Sequence, residues 1–167
     1  MKKLVITLFA ILAGTSCAMA DDAGCSAFKW PVAREQALFS AAPAVQPGAA
    51  LAVGQAVNFA LAPVDTISFA MPPEHAPVAG TFGALASVTV PPEGQLQLSL
   101  SDEAWVDVIQ DGHAMKSVGF SRVKTCPGIR KSLRFKLSAG QATIQFSGAN
   151  TRDLKVAVLA PEQSDAN

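Results

Sequence analysis

From Gly112 to Arg152 the sequence carries no acidic residue and eight basic ones: Lys116, Arg122, Lys124, Arg130, Lys131, Arg134, Lys136 and Arg152. Arg122, Lys124, Arg130 and Lys131 flank Cys126, so a disulfide there would hold all four on one structured loop. Such a patch suits an anionic group: a phosphate, a carboxylated glycan or a lipid headgroup. The plainer account has these bases facing acidic strands across a sheet, in exposed pairs worth ~0–1 kcal/mol each. Asp107 stands out for the opposite reason. It interrupts an otherwise apolar stretch, on the face it shares with Trp105 and Ile109, and a buried carboxylate needs a partner. Either Arg130 or Arg134 supplies that partner in a structural salt bridge, or Asp107 belongs to a site.

Other chemistries are thinly represented. The chain has two histidines, His75 and His113. With Glu74 beside His75, a two-His, one-carboxylate iron set can be written down. No His-x-His or similarly spaced ligand pair accompanies it, and solvated loop histidines are the simpler reading. No Gly-x-Ser-x-Gly elbow marks a nucleophile. Paired carboxylates for glycoside hydrolysis would have to come from Asp102, Glu103, Asp107 and Asp111, of which three fall in turns. Trp30 and Trp105 invite a comparison with sugar-stacking faces, but Tyr is absent. Trp105 lies where core is expected, and Trp30 is placed to pack a helix onto a sheet.

The elements that must position these residues are mostly strands. Trp30 to Ser40 reads as the one helix, with Pro31 suited to a first helical position. Ala41 to Gly54 is an Ala/Pro/Gly connector. Beyond it the pattern turns to period two. Ile67, Phe69 and Met71 alternate with polar or small residues, and Pro72, Pro73 and Pro77 end that strand. Phe82 to Val90, Gln95 to Leu100, Ala104 to Gln110 and Ala114 to Phe120 follow, the last two joined by the hairpin signal Asp111-Gly112. Leu133/Phe135/Leu137, Ala142/Ile144/Phe146 and Leu154/Val156/Val158 supply three more. The rows Gln95/Gln97/Ser99 and Thr143/Gln145/Ser147 read as solvated faces. Short strands at this spacing predict an all-β fold, a β-sandwich of jelly-roll type with one short N-terminal helix.

Residues 1–20 read as a cleavable signal peptide: Lys2 and Lys3, an apolar run from Leu4 to Ala13, then Ala18-Met19-Ala20. Cleavage is expected after Ala20. Lipidation of Cys17 is the alternative, although the usual Leu three residues ahead is missing. The apolar run is shorter than the ~20 residues that span a bilayer, so the mature chain is not expected to be membrane-spanning. Residues 21–160 are of one-domain length, and 161–167 read as a flexible tail. The whole chain is neutral, and loss of Lys2 and Lys3 leaves a net charge of about −2, which points to no nucleic-acid partner. Cys25 and Cys126 remain, and an oxidising compartment favours their pairing over a reactive thiol or half of a metal site. The closed loop of about a hundred residues has a nominal entropic value of roughly 4.7 kcal/mol.

Three blocks carry a resemblance: Gly80-Thr81-Phe82-Gly83, Ala104 to Gly112, and Cys126-Pro127-Gly128-Ile129-Arg130-Lys131. With Phe135 to Gly140 and Gln145 to Gly148 they resemble a family of small exported bacterial proteins of unestablished function. The strand-turn pattern is similar, more loosely, to the jelly-roll pre-peptidase C-terminal domains of secreted proteins, which serve as accessory or binding modules. Members of the small exported family sometimes carry the label homogentisate dioxygenase. That enzyme is similar to a cupin and would require His75, His113 and Glu74 to act as iron ligands, in a chain far shorter than the enzyme itself.

The expectation is therefore a periplasmic or secreted, non-catalytic accessory or binding protein of the bacterial envelope. It recognises an anionic group through Arg122, Lys124, Arg130, Lys131 and Asp107, has no cofactor, and takes an unknown envelope ligand or protein as partner. A small cupin-like metal-dependent dioxygenase and a purely structural interaction module are the alternatives.

Overall fold

The computed structural model describes residues 24–92 and 94–162. The signal peptide, Cys17, the cleavage site after Ala20 and the tail from Gln163 onward lie outside the described residues. The elements in chain order are helix α1 (Ala33–Ser40), then strands β1 (Ala44–Val45), β2 (Ala50–Leu51), β3 (Gln55–Ala60), β4 (Ala62–Pro63), β5 (Phe82–Val90) and β6 (Gln95–Leu100). They continue as β7 (Trp105–Gln110), β8 (His113–Met115), β9 (Ser117–Arg122), β10 (Lys131–Lys136), β11 (Gly140–Ala149) and β12 (Asp153–Leu159).

Two mixed sheets pack face to face as an all-β sandwich. One runs β1-β3-β12-β6-β10-β9 and the other β2-β5-β11-β7-β8. With β8 and β9 taken as one interrupted strand, the long strands follow the jelly-roll order. Leu96, Leu98 and Leu100 of β6 and Leu154, Val156 and Val158 of β12 face Val88, Ile144 and Phe146 across the interior. Phe59 and Phe146 meet there with ring centroids 5.6 Å apart. Asp111 and Gly112 both have positive φ (50° and 75°), as a two-residue primed turn requires, and set the register Gln110↔His113 between β7 and β8.

The sandwich is also covered on the outside, which overturns the expectation of two solvated faces. On the outer face of the first sheet, α1 and the Cys25–Cys126 disulfide build a second apolar cluster with Phe28, Trp30, Val32, Phe39, Ile129 and Leu159. The helix begins at Ala33 rather than Trp30, with Pro31 ahead of it. Trp30 instead lies flat on the sheet, where a Cβ at Gly119 would sit 3.4 Å from its ring carbons. Gln97 and Ser99 are buried beneath this layer. The carboxylate of Glu35, 1% exposed, accepts hydrogen bonds from Gln97 Nε2 and from Ser99 Oγ. The chain of bonds continues from Ser99 Oγ to Ser132 Oγ at 2.8 Å and to Trp30 Nε1 at 3.0 Å.

The outer face of the second sheet is covered by the segment read as a strand at Ile67–Met71. That segment leaves Ile67 in an extended conformation, bends at Ala70 and Met71, and pairs with no strand among the described residues. Its alternation is real, since Ile67, Phe69 and Met71 are half-buried while Ser68 and Ala70 are exposed. An extended chain lying across a sheet gives the same period as one hydrogen-bonded into it. Gln145, fully buried, anchors the segment by giving and taking hydrogen bonds with the Met71 main chain. A strand the pattern did not suggest, β3, occupies Gln55–Ala60, where Ala, Gln and Asn dilute the signal. The returning strand expected over Ala114–Phe120 is broken at Lys116, and its halves belong to different sheets.

Candidate functional site

The strand that changes sheets leaves an opening. On the side of β7 away from β11, β8 pairs only with Val108–Gln110. Trp105, Val106 and Asp107 therefore have no strand beside them there among the described residues. A groove of about 550 Å³ opens at this point. One wall is the inner face of β9 and β10, with Phe120, Lys131, Leu133 and Phe135; the other carries Val106, Val108 and Met115. Trp105, Asp107 and His75 form its rim.

Lys131 is the residue that gives this groove chemistry. It shares the inward parity of Leu133 and Phe135 on β10 and is only 5% exposed. Among the described residues its Nζ makes no hydrogen bond and no ion pair. Its one polar contact is the face of the Trp105 ring, with Nζ 5.5 Å from the centroid. Burial holds the ammonium pKa below the usual lysine value; Glu103 pulls it back up and Arg122 pushes it further down. A desolvated cation with no anion against it is costly, and a bound anion would relieve that cost.

Asp107 presents a second uncompensated group. The expected salt bridge is absent among the described residues: Asp107 Oδ2 is enclosed and makes no hydrogen bond. Arg130 is drawn to Glu103 at 3.7 Å, and Arg134 stacks its guanidinium over Trp30 at 4.1 Å while its Nε donates to Gln97. Asp107 faces Gln145 across the β7–β11 ladder, but the Gln145 amide is committed to Met71.

Trp105 is not core: it is 47% exposed. Its indole stacks on the His75 imidazole at 3.5 Å between centroids and 3° between planes. Gly148, at φ 69° in the β11 bulge, allows the ring in; a Cβ there would come within 2.9 Å of Trp105 Cδ1.

The basic loop is split by the fold. Arg122 donates to Glu103 at 2.7 Å, Arg130 shares the same carboxylate, and Arg130 Nη1 donates to the Lys124 carbonyl at 3.0 Å. Lys124 is exposed, and Lys131 turns inward to the groove. Of the expected set the structure thus brings Lys131 and Asp107 to one groove and leaves Arg122, Lys124 and Arg130 on the outer loop. His75 and Glu74 line the groove while His113 lies exposed on β8. Among the described residues no three His, Cys, Asp or Glu side chains are grouped to hold a metal ion.

The Lys131 position was readable in principle. Extending the Leu133/Phe135/Leu137 row back by one step places Lys131 on the apolar face. The covering segment and the stacking of His75 on Trp105 leave no comparable local signal, because they join residues far apart in sequence: Met71 with Gln145, and His75 with Trp105.

Comparison with known proteins returns no match to a protein-family model, a curated protein or a solved structure.

Proposed function

We propose that this chain is a non-catalytic binding protein of the bacterial envelope that recognises an anionic group in the β7–β8–β10 groove. The observation that carries the reading is Lys131, a buried ammonium with no hydrogen-bond or ion-pair partner among the described residues, lining a groove open to solvent. An anion placed against Nζ gains a charge-assisted hydrogen bond to an ammonium that burial has already largely desolvated. The disulfide supports an oxidising compartment, in keeping with the signal peptide read in the sequence.

Arg122 and Arg130 take a secondary role in this reading. Glu103 offsets one of their two charges, and what remains steers anions toward the loop beside Lys131. The test is titration of the folded, disulfide-intact protein with sodium acetate at constant ionic strength, followed by amide NMR shifts. Shifts at Lys131, Trp105 and Phe120 that saturate, and that vanish in Lys131→Met, support the proposal. Shifts scattered over the surface, or unchanged by the substitution, refute it and leave a purely structural module in its place.

A further inference from the structure

We infer that the ligand of this groove is a single-chain amphiphile headed by one carboxylate, with its apolar chain lying against Phe120, Met115 and Val106 at the open edge between the two sheets. The inference rests on the anion-binding reading of Lys131 and goes further, to the body of the ligand and the charge of its head.

The body follows from the walls. Lys131, Leu133 and Phe135 stand in one row on β10, each step of two residues advancing about 6.6 Å. Leu133 and Phe135 are themselves buried, and the apolar surface still open beside the ammonium is that of Phe120, with Met115 and Val106 half-buried at the groove. Phe120, 45% exposed, borders the same space. Exposed apolar side chains clustered beside an open groove are characteristic of a binding surface. A bare inorganic anion would satisfy Lys131 and leave Phe120 wet, whereas an alkyl chain covers both.

The head follows from the charge balance. Phosphate is typically gripped by guanidinium forks, and here Arg122 and Arg130 both converge on Glu103. Lys116 and Glu74, both exposed, also line the groove; Lys131 is the buried cation among the described lining residues, and the carboxylates of Glu74 and of the unpartnered Asp107 oppose a second negative charge. One ammonium balances one carboxylate, and a dianionic head would be left in excess.

The experiment compares butanoate, hexanoate, octanoate and decanoate, all as monomers, with octyl phosphate and 1-octanol, on the full disulfide-intact chain by amide NMR. Affinity should rise with length by up to about fourfold per methylene buried, and octanoate should bind more tightly than octyl phosphate. Lys131→Met should weaken octanoate at least tenfold and leave octanol unchanged. Phe120→Ser, at an exposed position, should flatten the length dependence. Affinity independent of chain length, with acetate binding still lost in Lys131→Met, overturns the amphiphile and leaves the anion reading standing. Length dependence that ignores Lys131 overturns both. Octyl phosphate binding as tightly as octanoate overturns the carboxylate head.

Discussion

The side-chain amide of Gln145 accepts from the Met71 N–H at 3.0 Å and donates to the Met71 carbonyl at 3.1 Å, so one buried residue replaces the ladder that a paired strand would have supplied. Replacing Gln145 with Leu keeps its volume roughly constant but strands both main-chain groups. We expect a loss of about 1–3 kcal/mol in urea unfolding, with hydrogen exchange at the Met71 amide accelerated more than at amides of β5 or β12. Unaltered exchange at Met71 would show that the segment is held by its apolar contacts alone.

Glu35 is the anchor of the opposite face. Its carboxylate takes Gln97 Nε2 and Ser99 Oγ, and through Ser132 the network reaches Trp30. Glu35→Ala leaves a buried amide without its acceptor and opens space under α1. A destabilisation of roughly 2–3 kcal/mol is expected, accompanied by a change in the emission of Trp30. Tryptophan emission unchanged in the variant would mean that the indole is fixed by Arg134 and Gly119 without help from the helix.

The disulfide joins residues 101 apart in sequence and fastens α1 as well, since Gln36 Nε2 contacts Cys25 Sγ and the Pro127 carbonyl, both at 3.4 Å. The double variant Cys25→Ser, Cys126→Ser should lose about 2–5 kcal/mol. The loss should appear first as exchange in α1 and the outer apolar cluster, with the core between the sheets opening last.

Lys131 weakens the fold where it serves the site. Its folded-state pKa lies below the ordinary lysine value because burial disfavours the charge. Between those two values the unfolded chain binds more protons than the folded one, so stability attributable to Lys131 rises with pH across that window. Below the window the desolvated ammonium is a net cost. Lys131→Met should therefore resist urea better than the parent at pH 7, and the advantage should shrink as pH climbs toward the ordinary lysine value. A variant less stable than the parent at neutral pH would mean that the ammonium is better solvated than its burial indicates.

Gly148→Ala tests the seat of Trp105 without touching a charge. Its positive φ and the approach of Trp105 Cδ1 leave no room for a methyl group. The indole should be displaced from His75 and from Lys131, and acetate binding should weaken severalfold. Binding at full strength in a folded Gly148→Ala variant would show that Trp105 contributes nothing to the site.

The sandwich and its helix were legible because burial on one face writes a period of two into strands such as β6, β10 and β11. What the pattern could not carry is burial on both faces. Gln97, Ser99 and Gln145 are polar, so they read as solvated, yet each is satisfied by a partner far away in sequence: Glu35, Ser132 and Met71. Ile67–Met71 fails for the related reason that extension without pairing has the same alternation as a strand. In the site, Lys131 and Asp107 were both singled out from charge and context. Their separation from Arg122 and Arg130 depends on Glu103, which sits in a turn and gives no sign of its partners. Trp105 was placed in the core because its strand is apolar; β8 stops short of it, and a strand's end is the least legible feature of a sequence.

The most direct measurement is the titration of the Lys131 side chain itself, by NMR of its labelled Cε carbon, with and without a saturating carboxylate. The account predicts a free-state pKa below that of the other lysines and a marked rise when the carboxylate is present, because the anion stabilises the ammonium. A Lys131 that titrates with the exposed lysines, or whose pKa ignores the carboxylate, would contradict the claim that this groove is built to receive an anion.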